Sequence, residues 1–233
     1  ATTEIYTLSL HDALPISSTC TPSAANPPMD YTLYGGDILR VGSQGYEKCR
    51  INADTAQKYA GLISDAADAL AGETQVYCLI IPTSYGILLP DEVKARLSDY
   101  EDTEACISEV YAALSENAKP VRVWDKLKAH SDEFIYFRTD LHWTARGAYL
   151  GYEAFCNAKG IAPIPLEAHR SVNFEGFFGT FYSESGGDEK FSPAETIEAF
   201  YPVSDGVTLT VTDADDNTTD CPIVADVSEL HAL

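Results

Sequence analysis

The chain has 233 residues, of which 45% are hydrophobic, and a net charge of −21 at pH 7. This length suffices for one domain with a sizeable core. The acidic surface disfavours partners such as nucleic acids and anionic membrane faces, because both repel it at long range. No apolar run approaches the roughly 18 residues that a membrane helix needs.

The first sixteen residues look foreign to the protein. The DNA of a common short-read sequencing adapter translates into these sixteen residues without a mismatch. We therefore interpret residues 1–16 as an assembly artefact and leave them out of the fold prediction. This segment stands where a signal peptide or a membrane anchor would lie, so we expect the natural chain to differ and to extend further.

Residues 17–30 are rich in serine, proline, alanine and asparagine, a composition typical of a linker. Gly35, Gly36 and Gly42 separate short extended runs in residues 31–51, and this pattern predicts a small β-element. The six cysteines form no CxxC pair, which disfavours a zinc ribbon. Their pattern does not identify a redox compartment.

Helices and apolar strands alternate between residues 52 and 160. We predict helix starts at Asn52, at Asp102 or Thr103, and at Thr144, whose side chains can cap a first turn. Gly72 and Gly160 are suited to end helices. Strands are predicted at residues 75–81, 121–124 and 133–137, with a brief helix at 126–130. The predicted helical faces consist of Ala56, Tyr59, Ala60, Ile63, Ala67 and Leu70, of Ile107, Val110, Tyr111 and Leu114, and of Ala148, Tyr152, Phe155 and Cys156. This alternation predicts an α/β domain with a mainly parallel sheet.

The pattern changes after Gly160. Residues 174–182 combine five aromatic side chains with two glycines. Residues 207–211 alternate as an edge strand does. An acidic cluster around Asp213 and Asp216 resembles part of a calcium loop but lacks the glycine and terminal glutamate of an EF-hand, so we favour a solvated hairpin tip.

Asp140 and His142 are the strongest candidates for a functional site. They follow the predicted strand 133–137, at the edge of an α/β sheet where ligands bind. A carboxylate beside a histidine can fix the imidazole tautomer and stabilise the imidazolium, as a general base requires. Two alternatives remain: a structural Asp–His pair that caps a helix, and a metal site. The metal site would need further ligands, and His130, His169 and His231 show no ligand spacing.

Other polar groups are predicted at the same sheet edge. Ser84 follows the strand 75–81 and could be a nucleophile or an ordinary turn residue, and Asp125 is suited to cap the helix that follows it. Tyr182 and Ser183 belong to an aromatic, hydroxyl-rich block. That block could form a sugar-binding rim or simply part of the core.

The segment from Phe134 to Thr144, followed by Gly147-Ala148-Tyr149, resembles the signature of the bacterial DHHW proteins, which are similar to the SGNH-type domains of alginate O-acetyltransferases. Ile81-Pro82-Thr83-Ser84 upstream and Gly179-Thr180-Phe181-Tyr182-Ser183 downstream support the resemblance, which spans residues 31–202. The motif that names the family reads Asp-His-His-Trp, whereas Leu141 stands here in place of the first histidine. The acid and the second histidine persist with the spacing of the acetyltransferase relatives.

The resemblance implies a three-layer SGNH-hydrolase-like domain in residues 31–233, truncated at both ends. It implies an extracytoplasmic O-acetyltransferase or acetylesterase that acts on a polysaccharide, takes an acetyl group from a donor and needs no metal or cofactor. His142 would be the general base, Asp140 its orienting acid. The expected substrate contacts are Ser84, Trp143, Tyr182 and Ser183.

In the relatives the nucleophilic serine follows the Asp-x-His motif, in a block that often reads Asp-Ser-Tyr. No such block precedes Leu233, so we expect this chain to lack its nucleophile and to be nearly inactive. The alternatives are a non-catalytic module for glycan binding or envelope assembly, and a metal-dependent hydrolase.

Overall fold

A computed structural model describes residues 30–49, 53–204, 207–214, 216–221 and 223–224. The interpreted adapter, nearly all of the predicted linker, and the predicted helix cap Asn52 lie outside the described residues. The described strands are β1 (Tyr31–Tyr34), β2 (Ile38–Val41), β3 (Gln44–Glu47), β4 (Val76–Leu79), β5 (Ala118–Val121), β6 (Ser171–Phe177), β7 (Glu195–Phe200), β8 (Leu209–Thr212) and β9 (Thr218–Cys221). The helices are α1 (Ala53–Ala69), α2 (Ser84–Leu88), α3 (Asp91–Lys94), α4 (Thr103–Ala112), α5 (Trp124–Ala129), α6 (Ala145–Lys159) and α7 (Thr180–Glu184), with short 3₁₀ turns at Leu166–Ala168 and Glu189–Phe191.

The small β-element predicted near the start is confirmed. Strands β1, β2 and β3 form an antiparallel meander with consecutive register. Gly35, Gly36 and Gly42 lie in its two turns with positive φ, a conformation that suits glycine. Strand β2 is buried along its whole length, so the meander is part of the core and not an appendage.

Helices α4 and α6 begin where the sequence predicts, and α6 also ends as predicted. The Asp102 side chain accepts a hydrogen bond from the backbone of Ala105 at the start of α4, and the Thr144 hydroxyl accepts one from Gly147 at the start of α6. Gly160 ends α6 in the left-handed conformation. These ends follow from local chemistry, which explains why they could be predicted.

The core face predicted for α6 is wrong in part. Leu150 and Ala154 pack against the main core, whereas Tyr152 is 37% exposed. Both faces of this helix carry apolar residues, so periodicity alone does not decide which face is buried. On α1 the small residues Ala56, Ala60 and Ala67 are buried, whereas Tyr59, and Leu70 just after the helix end, are exposed.

The described strands do not form the mainly parallel sheet that the alternation predicts. Among the described residues only β4 and β5 pair in parallel, and the other four pairings are antiparallel. Strand β8 and β9 form a separate hairpin with Asp213 and Asn217 at its tip, as predicted. The fold is thus a mixed α/β arrangement of small sheets.

Residues 133–137 are not a sheet strand, and this corrects the prediction that matters most for the site. The backbone N–H of Thr144 donates to Ile135 O over 2.9 Å, and Tyr136 forms an isolated antiparallel bridge with Trp143. Because the segment bonds to the loop that follows it, it is not available to a sheet. Its apolar run reflects burial, since Ile135, Tyr136 and Phe137 all lie in the interior.

The strand predicted at residues 121–124 begins earlier, because β5 starts at Ala118 and Trp124 already belongs to α5. Asp125 is therefore not the cap of α5. It lies inside the first turn, where a carboxylate still interacts favourably with the helix N-terminus.

The main core joins β5, α5, α6 and the loop before α6 through Val121, Leu127, Ile135, Tyr136 and Leu150. This packing fixes where α6 begins, and hence where the loop that carries Asp140 and His142 is held. Within the part of the chain that the structure describes, no helix is both long and apolar enough to cross a membrane.

Candidate active site

Asp140 and His142 lie in a tight loop directly before α6. The His142 Nδ1 is 2.6 Å from Asp140 Oδ1, and the backbone N–H of His142 donates to the same oxygen over 3.0 Å. The side chain of Asp140 is only 8% exposed, whereas that of His142 is 68% exposed. A buried acid therefore holds an imidazole that faces solvent.

The second oxygen of Asp140 binds a different element. Oδ2 accepts hydrogen bonds from the backbone N–H of Thr180 over 2.9 Å and from its hydroxyl over 3.1 Å. Thr180 is the first residue of α7. Asp140 thus joins the loop before α6 to the start of α7. Thr144, and not Asp140, caps α6, whereas Asp140 accepts a hydrogen bond from the first backbone N–H of α7, so this acid also has a structural role at a helix start.

Gly179 allows this contact. A β-carbon at this position would lie 2.3 Å from Asp140 Cβ and 2.5 Å from Oδ2. The backbone φ of Gly179 is −95°, which other residues also adopt. The reason for glycine here is consequently the close approach of the Asp140 side chain, and not the backbone conformation.

A second buried carboxylate supports the loop from β7. Glu195 Oε1 accepts a hydrogen bond from the Arg138 backbone over 2.7 Å, and Oε2 accepts one from the Thr139 backbone over 2.8 Å. The Thr139 hydroxyl also donates to Glu195 and accepts from the Gly179 N–H over 3.0 Å. The Glu195 carboxylate therefore holds the two peptides before Asp140, although these peptides form no strand.

Opposing effects act on the pKa of Asp140. Burial raises the pKa of this carboxyl. Hydrogen bonds from the Thr180 and His142 backbones, from the His142 ring and from the Thr180 hydroxyl lower the pKa by more than burial raises it. The net result is a pKa below the ordinary value. Asp140 is charged at neutral pH and can stabilise a protonated His142.

The other ring nitrogen of His142, Nε2, has no hydrogen-bond partner among the described residues. An imidazole that is oriented through Nδ1 and open at Nε2 can take a proton from a hydroxyl group and return it later. No serine hydroxyl in the described part of the chain is hydrogen-bonded to it. The arrangement supplies two of the three groups of a Ser-His-Asp site.

Ser84 and Asp125 do not join the pair. Ser84 is 1% exposed, and its hydroxyl donates to Gly45 O over 3.3 Å. A buried, bonded hydroxyl fits a packing role better than contact with a substrate. Asp125 is exposed on α5 and lines a cleft with Pro82 and Trp124. The segment before the site is joined to the loop after β4, because the Tyr136 hydroxyl donates to Pro82 O over 2.6 Å.

Of the predicted sugar contacts, Trp143 directly follows His142, whereas Tyr182 and Ser183 lie on α7, whose first residue binds Asp140. Trp143 lies against α6, with its β-carbon close to Gly147 and its ring close to Gly151, and it borders the main core. Tyr182 stacks on Phe178 with ring centres 4.2 Å apart and is half-buried. Ser183 is exposed on α7. Their contact with a substrate stays a prediction.

Sequence reasoning did not assign roles to Thr180, Gly179 or Glu195. Gly179 and Thr180 belong to the block that supported the resemblance, and their place in that block could have indicated that they lie at the site. Glu195 gave no signal, because a single glutamate 56 residues from Thr139 has nothing local to distinguish it. Among the described residues, no group of three histidine, cysteine, aspartate or glutamate side chains is arranged to hold a metal ion.

A family model for the DHHW protein matches residues 26–232, which is most of the chain. The chain belongs to the DHHW family. The family predicted from the residues around Asp140 and His142 is thereby confirmed. Leu141 is a departure from the Asp-His-His-Trp motif within a member of that family. A search of curated proteins finds no match.

Solved structures resemble this DHHW chain in fold. A DHHW family protein from Eubacterium siraeum matches with a TM-score of 0.65 and 23% identity, over 78% of this chain and 58% of that chain. Bacillus cereus PatB1, solved with a sulfonyl adduct, matches with a TM-score of 0.62 and 17% identity, over 82% of this chain and 64% of that chain. The O-acetyltransferase domain of Pseudomonas putida AlgJ matches weakly, with a TM-score of 0.46 and 14% identity, over 75% and 66% of the two chains. The DHHW chain spans less than two thirds of the length of the first two.

Replacement of Gly179 by alanine is expected to destabilise the protein by about 1–3 kcal/mol, because the added methyl group overlaps the Asp140 side chain. The matched control is Gly61→Ala in α1, where a β-carbon meets nothing within 4 Å and alanine should stabilise by about 0.5–1 kcal/mol. Urea unfolding measures both. A Gly179→Ala variant as stable as the parent would contradict the close packing described.

Replacement of Asp140 by asparagine should change how stability depends on pH. The folded-state pKa is below the unfolded value, so the charged carboxylate stabilises the fold fully above about pH 5 and loses this effect as the pH falls through the folded pKa. The difference in unfolding free energy between parent and variant should therefore shrink from about pH 6 to about pH 3. Urea unfolding at several pH values tests this, and a constant difference would refute it.

Proposed function

We propose that Asp140 and His142 are the orienting acid and the general base of an O-acetyl transfer or acetylesterase site whose serine nucleophile lies outside the described residues. The observation that carries this proposal is the 2.6 Å contact between Asp140 and His142 Nδ1, with the rest of the ring exposed. An imidazole that is oriented through one nitrogen and open to solvent at the other has the arrangement that a general base needs.

The proposed chemistry proceeds in two halves. His142 Nε2 takes the proton of the serine hydroxyl while the serine oxygen attacks the acetyl carbonyl of the donor. The protonated His142 then gives that proton to the leaving group, and an acetyl-serine remains. A sugar hydroxyl, or water, next loses its proton to Nε2 and attacks the acetyl-serine, which transfers the acetyl group to the attacking oxygen. The protonated Nε2 gives its proton to the departing serine oxygen, and this restores both the serine hydroxyl and the neutral imidazole. Asp140 stays ionised and stabilises the imidazolium throughout.

The proposed acceptor is a polysaccharide outside the cytoplasm, and the proposed fold of the complete domain is the three-layer SGNH type. Family membership and the fold likeness to PatB1 support this assignment. The stacked pair Phe178 and Tyr182 supports a glycan as well, because it adjoins Thr180 and aromatic rings pack on the C–H faces of sugars.

A non-catalytic glycan-binding module is the second candidate. The observation that favours it is that no described serine hydroxyl is bonded to His142. On this alternative the aromatic rings near α7 would bind the glycan, and replacement of His142 would not change binding.

Hydrolysis of p-nitrophenyl acetate separates the two candidates. The DHHW protein extended to its natural C-terminus should show activity that falls roughly 10³-fold or more in His142→Ala. His169→Ala is the matched control, because that ring binds a backbone carbonyl through Nδ1 away from Asp140. The chain from residue 17 to residue 233 should stay near the uncatalysed rate.

Two results would contradict the proposal. One is an extended protein whose esterase activity survives His142→Ala, and the other is an extended protein with no activity that binds glycan equally well with and without His142. A chain of residues 17–233 that hydrolyses the ester in a His142-dependent way would instead show that the nucleophile lies within those residues.

A further inference from the structure

We infer that Glu195 is a positioning residue for the Asp140–His142 pair: its carboxylate fixes the two peptides that place Asp140 between His142 and Thr180. The catalytic meaning of this inference rests on the proposed function, whereas the positioning itself is a structural statement. Glu195 begins β7, far in sequence from the loop, and no part of the DHHW motif includes it.

The hydrogen bonds and the ion pair of the Glu195 side chain all go to the loop that carries Asp140. The residue is 3% exposed, and its two oxygens accept hydrogen bonds from the backbones of Arg138 and Thr139 and from the Thr139 hydroxyl. The Arg138 guanidinium lies 3.5 Å from Oε1. A buried carboxylate needs such donors to offset its lost hydration, so the loop and Glu195 depend on each other.

Thr139 transmits this constraint to the site. Its hydroxyl accepts from Gly179 N–H, and its carbonyl oxygen accepts from Phe181 N–H over 2.9 Å. Thr139 is completely buried, and Asp140 is the next residue. A shift of the Thr139 peptide would therefore move the Asp140 side chain away from Thr180 or from His142.

A glutamine cannot replace Glu195 in this role. Both oxygens of Glu195 face N–H donors, but an amide group has a single oxygen and presents its own N–H groups on the other side. One of the two backbone donors would then face another donor in a buried place. Glu195→Gln keeps the shape of the side chain and removes only the pairing of two acceptor oxygens with two backbone donors. This makes it the informative variant.

The imidazole tautomer of His142 gives a direct measurement of positioning. In the 233-residue chain labelled with ¹⁵N-histidine, neutral His142 should be in the Nδ1–H form, because that nitrogen donates to Asp140. The resonances are assigned by comparison with His142→Ala. Asp140→Ala should lose the Nδ1–H form in favour of the Nε2–H form that a free imidazole prefers, and Glu195→Gln should shift the ring toward the same spectrum.

Two controls separate positioning from general stability. Glu198→Gln removes a carboxylate from the same strand, one that pairs with Arg146 at the surface over 2.7 Å, and should leave the tautomer unchanged. Leu97→Ala opens a separate hydrophobic cluster and should lower the midpoint of thermal unfolding without a change of tautomer. If Glu195→Gln does not fold, Thr139→Val is measured in its place, because it removes the hydroxyl that joins Glu195 to Gly179.

A folded Glu195→Gln protein in which His142 keeps the parent tautomer would overturn the inference, and so would an unchanged tautomer in Thr139→Val when that variant has to be used. The measurement does not depend on turnover. A protein with no esterase activity but a Glu195-dependent tautomer would contradict the proposed function and leave the positioning role of Glu195 in place.

Discussion

The carboxylate of Asp140 is shared between two partners, and the candidate site depends on that division. One oxygen binds the His142 ring and backbone, and the other binds the first residue of α7. Burial of a carboxylate is unfavourable in itself, but the hydrogen bonds to Asp140 more than offset it and lower its pKa. The acid therefore stays charged where it can orient the imidazole, and it also joins two elements that are distant in sequence.

The surrounding structure keeps this loop in place without regular secondary structure. Packing of Ile135 and Tyr136 in the core fixes the segment before the loop, and the Thr144 cap fixes the helix after it. Glu195 holds the intervening residues through two backbone hydrogen bonds and one from the Thr139 hydroxyl. Because the buried side chains of Thr139, Asp140 and Thr144 all have hydrogen-bond partners, the loop is held in place while the His142 ring is exposed.

Local chemistry explains what the sequence could predict. The caps Asp102 and Thr144, the glycine turns and the Asp–His spacing are set by residues a few positions apart, and the structure contains all of them. The mainly parallel sheet was not predictable in the same way. An apolar run such as residues 133–137 indicates burial, and whether it pairs as a strand depends on distant partners. Likewise Thr180 and Glu195 reach the site only through tertiary contacts 40 and 56 residues away.

Covalent capture of the nucleophile tests the central claim most directly. The protein encoded by the full natural gene would be treated with phenylmethylsulfonyl fluoride, and intact mass and peptide mapping would locate the product. A hydroxyl activated by His142 should add one sulfonyl group at a single serine, at a rate that falls roughly 10³-fold or more in His142→Ala. A sulfonylation rate that is the same with and without His142 would contradict the account, because the imidazole would then activate no nucleophile.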